Sequence, residues 1–387
     1  MRIAFLNVGN ADFNAATPFT QPLGGTESAA CFLAAALARL GHQPLILSKT
    51  SAPGLHRGVE CVRWDHDPKT LQDVHADVAV VLRVAGAGAA IRGFLPPPVV
   101  FWAQDHHQEP SVKPLGIPGE RDAYAGFAMV SNWQCGHYQR HFNIDPARMA
   151  ILRNAVGPCF QGLFQADEPI LGHKPWPPVL AYVSTPNRGL DLLLDVFPAI
   201  RAQIPGTRLR VHSSMKVYQW PDEIDAQAHG HLYRRCQQME GVEYAGSVSQ
   251  TELARSLKSV TALAYPNTFP ETSCISVMEA MAAGCLVVTT DFAALPETTA
   301  GFAHLVPRNA DMETYKRQFT QALVGALRQR QSADAAALEA KLRQQVHHTA
   351  TWCTWDRRAR EWLVWLETLR QSRDPFTARH GAEGWSF

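Results

Sequence analysis

Short apolar runs alternate with amphipathic segments along this chain, and that alternation most restricts its fold. Arg2–Val8 is apolar and stops at Gly9, "AACFLAAALARLG" (29–41) is patterned as a helix ending at Gly41, and "QPLILS" (43–48) is the next run. Strand, helix and strand at this spacing form a βαβ unit and require a parallel sheet. More strands are predicted at Val78–Leu82, Pro98–Trp102 and Phe127–Ser131, then an amphipathic helix "NWQCGHYQRHF" (132–142). The pattern breaks over Gly157–Pro178, rich in Pro, Gly and polar residues, which reads as a linker between domains. A second series follows, with strands in "PVLAYVS", "RLRVHSS", "GVEYAGSVS", "TALAYP" and "CLVVTTD". Helices are predicted in "NRGLDLLLDVFPAIRAQI", "QTELARSLKS" and "SVMEAMAAG", then from about Met312 to Arg370.

A chain of 387 residues exceeds one compact core. The expected fold class is α/β, with two doubly wound parallel-sheet domains. The first is expected over 1–165 and the second over 166–350, with a closing helix over 351–370 that packs back on the first and a tail over 371–387. Ligands of such sheets sit beyond the carboxyl ends of the strands. Two tandem domains are therefore expected to face each other across a cleft that holds the site.

Charge and cysteine usage exclude several classes. Net charge is +1, so there is no electrostatic footprint for nucleic acid. The eight cysteines are dispersed without zinc-like pairing, as reduced thiols of a cytoplasmic protein would be. "MRIAFLNVG" passes straight into a strand and is too short for a signal peptide, and no run is long enough to span a bilayer.

The chemistry is concentrated in "YPNTFPETSCISVMEAMAAGCLVVTTD". Glu271 and Glu279 are separated by seven residues. If a helix begins near Thr272 or Ser273, its free N–H groups make an anion site. Glu271 then lies just outside that end, and Glu279 lies about 12 Å further along the axis. A nucleoside diphosphate sugar has the matching layout, because carboxylates accept from paired hydroxyls and the helix start meets phosphates. The competing reading is a capping box of Ser276 and Glu279, with Glu271 a solvated loop charge.

The stretch "FPETSCISVMEAMAAGCLVVTTDFAALPE" resembles the E-x7-E region of retaining GT-B glycosyltransferases of the family 4 type. "YVSTPNRGLDLLLDVFPAI" is similar to the opening of that family's second domain, "LGGTESAACFLAAALARLGH" to its N-terminal glycine loop and first helix, and "WDRRAREWLVWL" to its closing helix. "SNWQCGHYQRHFNIDPARMAILRNAV" is similar to its crossing toward the linker. Together these cover Met1 to about Leu369.

The resemblance implies a GT-B fold and transfer of a sugar from a nucleotide donor with retention of configuration. It implies that Glu271 contacts the donor sugar and Glu279 the ribose. Backbone at Thr272, Ser273 and Cys274 would meet the diphosphate or sugar, and Gly24 and Gly25 would let backbone approach the same phosphates. Gly246, Ser247 and Val248 would contact the base, where Tyr218 and Trp220 either stack or pack in the core. The family supplies two bases to offset diphosphate charge. Arg188 matches the later one, whereas the earlier falls among Val183, Ser184 and Thr185. Either Lys216 replaces it or Ser184 and Thr185 donate hydrogen bonds. Asp105 and His106, in "FWAQDHHQEP", are the candidates near donor sugar and acceptor.

Asp65 and Asp67 form a D-x-D, the metal-binding spacing of a different transferase fold, but they stand in a polar loop. No metal and no cofactor are expected, the donor being a co-substrate. Trp352, Trp355, Ala359, Trp362, Leu366 and Leu369 share one helical stripe, read as core, with weak peripheral membrane association as the alternative. The acceptor is a glycan, a lipid-linked molecule or a small molecule. The rival functions are a GT-B epimerase or phosphorylase and a catalytically silent nucleotide-sugar-binding or scaffold subunit.

Overall fold

The computed structural model describes residues 1–165 and 167–371, so the expected tail lies outside the described residues except for the backbone of Gln371. The chain forms two compact units. The first holds Met1–Thr17, Gly25–Asn154 and the helix Trp355–Gln371, and the second holds Pro18–Gly24 and Ala155–Thr354.

The first unit is built on an eight-stranded sheet. Its strands are β1 (Arg2–Asn7), β2 (Gln43–Ser48), β3 (Gly54–His56), β4 (Val59–Arg63), β5 (Val78–Leu82), β6 (Val99–Trp102), β7 (Gly126–Met129) and β8 (Met149–Ile151). They lie in the order β3-β4-β2-β1-β5-β6-β7-β8. All pairings are parallel except β3 with β4. The central strands β5 and β6 are buried throughout, which is why they read as unbroken apolar runs. The helix after β1 spans Gly25–Arg39, beginning at Gly25 and not at Ala29. Thr26, Glu27 and Ser28 fit a first turn, where an acidic residue complements the helix dipole. Gly25 is therefore the first helical residue, and only Gly24 remains in the loop.

The closing helix belongs to this unit. Trp355, Ala359, Trp362 and Leu366 are at most 1% exposed. The Trp362 ring lies 4.9 Å from that of Trp102 in a T-shaped contact, and Trp355 lies 6.4 Å from Phe32. Burying each large side chain contributes about 1.5–3 kcal/mol. These four side chains are core and are not free to meet a lipid surface, whereas Leu369 is half-buried. Trp352 is not part of it. The helix is interrupted at Cys353 and Thr354, leaving Trp352 at the end of the preceding helix, 47% exposed. The expected single helical stretch is accordingly three helices, Met312–Arg328, Ala335–Trp352 and Trp355–Gln371.

The division between units falls after Asn154, eleven residues before the expected boundary at 165. Val156 already donates to the Cys353 carbonyl, and Val156 and Phe160 are packed in the second unit's core.

The second unit has a six-stranded, all-parallel sheet. Its strands are β9 (Val179–Val183), β10 (Arg208–His212), β11 (Val242–Tyr244), β12 (Ala262–Tyr265), β13 (Leu286–Asp291) and β14 (His304–Pro307). Their order is β11-β10-β9-β12-β13-β14. The chain fills one side of β9 outward through β11, then returns to β12 and fills the other. The topological switch point is thus between β9 and β12, which pair through Ala262↔Leu180 and Leu263↔Ala181. A helix at Asp222–Gln238 had no counterpart among the predicted elements. Lys174 is buried in this unit, and its ammonium donates to the carbonyls of Leu257 at 3.3 Å, Lys258 at 3.0 Å and Ala283 at 2.6 Å. Two helices, Gln250–Lys258 and Ile275–Ala282, end on that one cation. All eight cysteines are free thiols, and no helix among the described residues is long and apolar enough to cross a membrane.

Candidate active site

The loops that leave β9 and β12 meet at the switch point. Ser184 follows β9, and its Oγ lies 3.2 Å from the hydroxyl of Tyr265, the last residue of β12. The Tyr265 hydroxyl also lies 2.6 Å from Glu271 Oε1 and donates to it. Burial, with Glu271 beside it, pushes the Tyr265 pKa far up, so the phenol keeps the proton it donates. Arg188 NH1 donates to the same Glu271 Oε1 at 2.9 Å and NH2 to the Tyr218 hydroxyl at 3.4 Å. The guanidinium lies over the Phe269 ring, 4.1 Å from its centroid.

Local chain geometry makes this meeting possible. Pro186–Arg188 is a short 3-10 turn, and Gly189 then takes φ 109°. A Cβ on Gly189 would stand 2.2 Å from the Pro266 carbonyl oxygen, so only glycine lets the two loops approach this closely. On the other side, Asn267 ties the turn before Glu271 by accepting from Phe269 N at 2.9 Å, while Glu271 N bonds to the Phe269 carbonyl at 2.8 Å.

The helix that carries Glu279 begins later than expected. It spans Ile275–Ala282 with Cys274 as its N-cap, and Thr272 and Ser273 belong to the preceding loop. The capping-box alternative is also absent, because the Ser276 hydroxyl pairs with the Cys274 thiol at 3.3 Å. The capping box of this region is Ser249 with Glu252, at the start of the helix Gln250–Lys258. Glu279 is 2% exposed, and burial raises its pKa to about 7, against a hydrogen bond from the Gln250 side chain. Its Oε1 has no partner among the described residues.

Buried polar atoms without partners at this end of the sheet include Arg188 Nε, Ser213 Oγ, Gln250 Oε1 and Glu279 Oε1. Native proteins satisfy nearly all such atoms, so a group of them marks a place where something else supplies the partners. An unpaired cationic donor near Glu271 suits an anion, and unpaired acceptors at Glu279 suit hydroxyls.

The other candidates fall in several places. Ser184 and Thr185 stand beside the Arg188–Glu271 network, and the Thr185 carbonyl accepts from the buried Tyr182 hydroxyl at 2.8 Å. Lys216 does not join the network; its ammonium pairs with Asp222 at 3.3 Å and is more than half exposed. It shares a turn with Tyr218, Met215–Tyr218, whose cap Ser214 is bonded to Ser247 at 2.7 Å. Gly246 has φ 66°, and Ser247 and Val248 follow it into the helix Gln250–Lys258. Of the two readings of Trp220, core packing does not hold: it is 38% exposed and stacked on His229 at 6.4 Å. Gly24 is buried and groups with the second unit, in which Thr251 donates to the Phe19 carbonyl at 3.1 Å.

In the first unit, Asp105 accepts from Arg83 at 2.8 Å and from Ser111 at 2.8 Å, beyond the carboxyl ends of β5 and β6. His106, nearly buried, pairs with Glu109 at 2.9 Å. Glu27, also buried, has its pKa raised by burial and lowered by Arg83. Arg83 and Glu27 were not singled out from the sequence. Asp65 pairs with Arg63, and Asp67 caps the turn Pro68–Asp73, so the D-x-D has local work and no metal-like arrangement. No group of His, Cys, Asp or Glu among the described residues is placed to hold a metal ion.

Two units, each built on a mainly parallel sheet, have the GT-B fold of the solved structures they match. The family model described as "Glycosyl transferases group 1" matches residues 177–329, the part of the second unit that carries Arg188, Glu271 and Glu279. Solved structures agree over nearly the whole chain. A glycosyltransferase from Rickettsia africae superposes with a TM-score of 0.68 at 13% identity, covering 96% of this chain and 99% of that one. An α,α-trehalose-phosphate synthase (UDP-forming) from Burkholderia vietnamiensis gives 0.67 at 12% identity, covering 96% and 98%. Anabaena HepE in complex with UDP-glucose gives 0.65 at 13% identity, covering 95% and 100%. No curated protein matches the sequence. The resemblance drawn from the sequence is thus matched by family over residues 177–329 and by fold over the chain.

Proposed function

We propose that this protein is a glycosyltransferase that takes a sugar from a nucleoside diphosphate donor and passes it to an acceptor with retention of configuration. The observation that carries the reading is the polarity of the unpaired atoms at the switch point. Arg188 Nε is a buried cationic donor without a partner, while Gln250 Oε1 and Glu279 Oε1 are buried acceptors without partners. A diphosphate flanked by ribose hydroxyls would supply what each lacks. The structural neighbours whose titles name UDP-glucose or UDP-forming synthesis support that donor class by analogy.

In this reading Glu271 faces the donor sugar, with Tyr265 and Arg188 fixing its carboxylate on one oxygen. Arg188 stabilises charge that develops on the departing diphosphate. Ser184 and Thr185 take the place of the second cation, so hydrogen bonds replace one charge. No protein nucleophile is assigned, and the leaving phosphate assists deprotonation of the acceptor. The protein positions the reactants and stabilises charge. Asp105 and His106 are assigned to the acceptor side, no metal is required, and the free thiols fit a cytoplasmic setting.

The test is a panel of UDP-, GDP- and ADP-sugars, with binding, donor hydrolysis and product anomer measured for wild type and Glu271→Ala. Wild type is expected to bind and slowly hydrolyse at least one donor, and Glu271→Ala to lose most of that turnover. Failure of every donor to bind would remove the reading. Binding without turnover in any acceptor screen would favour a silent nucleotide-sugar-binding subunit, which the missing second cation makes the specific rival.

A further inference from the structure

Gln250 is the first residue of its helix, and the capping box of Ser249 and Glu252 fixes it there. Its side chain is hydrogen-bonded to Glu279. A carboxylate only accepts, so the amide N–H of Gln250 must be the group that faces it. The amide oxygen is buried without a partner, as is Glu279 Oε1. One bonded pair of side chains thus presents two unsatisfied acceptors.

The occupant must bring two donors and no negative charge. A phosphate is excluded by both criteria. A vicinal diol meets both, with O–H groups on adjacent carbons that reach two acceptors on adjoining side chains. Gln250 is partly exposed while Glu279 is 2% exposed, so Gln250 is the outer member of the pair.

Taking from the resemblance that Glu279 meets the donor's ribose, we infer that Gln250 is the second acceptor for the ribose hydroxyls and that it selects ribonucleotides over deoxyribonucleotides. The inference rests on the nucleotide-sugar reading and adds Gln250 as a specificity-determining residue that also orients Glu279 through its amide N–H. A site built to accept hydrogen bonds from hydroxyls rejects an analogue that lacks one, because its own acceptor is left unpaired.

The experiment is titration calorimetry of the full chain with UDP, GDP and ADP, then with the 2′-deoxy and 3′-deoxy forms of the tightest binder. Wild type is expected to bind one of the deoxy forms about tenfold or more weakly than the parent. Gln250→Leu is expected to bind the parent about tenfold more weakly and to discriminate the same deoxy form by less than about threefold. Gln250→Glu, which keeps an acceptor but sets a second carboxylate against Glu279, is expected to bind the parent more weakly still at pH 8. Melting temperatures of all three proteins establish that each is folded. Discrimination by Gln250→Leu equal to that of wild type overturns the inference while leaving the donor reading intact, as it would if water filled the pair. Absence of binding by any nucleoside diphosphate to wild type overturns both.

Discussion

Replacing Glu279 by Gln should stabilise the free protein and impair donor binding. The reason is the proton. In the folded state burial raises the Glu279 pKa to about 7, whereas 4.5 is its ordinary value. Between these pH values the folded protein keeps a proton that the unfolded chain has released. Stability from this group is therefore full below about pH 4.5 and is lost as pH rises through 7. The interval, at about 1.36 kcal/mol per pH unit, is worth about 3 kcal/mol at pH 8. Glutamine has no proton to lose and escapes that cost. Glu279→Gln is expected to be more stable than wild type by about 3 kcal/mol at pH 8 and by less than about 1 kcal/mol at pH 5. Urea unfolding at the two pH values measures it, and the midpoint should rise by on the order of 1 M at pH 8. The same variant should bind the tightest nucleoside diphosphate more weakly, because ribose hydroxyls would lose a charged acceptor. An equal gain at both pH values, or a loss of stability at pH 8, would refute the reasoning about the buried carboxyl.

Three further outcomes follow from the geometry. Donor affinity of wild type should rise between pH 6 and pH 8 with release of a proton, read by calorimetry in buffers of different ionisation enthalpy, because hydroxyl donors favour the ionised Glu279. Gly189→Ala, whose Cβ would fall 2.2 Å from the Pro266 carbonyl oxygen at φ 109°, should cost about 3 kcal/mol or more and weaken donor binding, checked by melting and titration. Trp362→Ala, at 0% exposure against Trp102, should destabilise by about 3–5 kcal/mol in chemical unfolding while leaving nucleotide affinity of any folded protein unchanged.

What was legible in the sequence follows burial. β5 and β12 are buried along their length, so "VAVVL" and "ALAY" announce themselves as apolar runs. β3 and β11 are three residues long at sheet edges, and β3, with Leu55 exposed, carries no such signal. The helix Asp222–Gln238 was illegible because most of its positions are solvated and polar, with only Asp225, Gly230, Leu232 and Cys236 buried. At the site, Glu271 and Glu279 stood out by their spacing, and Arg188 through the family resemblance. Tyr265 and Gln250 did not. A tyrosine closing a buried strand reads as core, and a glutamine after a capping serine reads as a helix start. Their roles depend on which atoms remain after local bonds are made, and spacing does not carry that. The start of the Glu279 helix was misplaced because Cys274 caps it without a side-chain hydrogen bond.

Lys174 makes none of the contacts discussed for ligand binding, yet the helices that carry Gln250 and Glu279 both end on it. Its ammonium holds the carboxyl ends of the helices whose other members include Gln250 and Glu279. The first helix is nine residues, a rod of about 13 Å with Gln250 at its tip. The second helix is eight residues and carries Glu279 about one turn from the end that Lys174 holds, so the two side chains stand at unequal distances from their shared anchor. A change at Lys174 would therefore shift Gln250 more than Glu279 and alter how the two meet, without touching either.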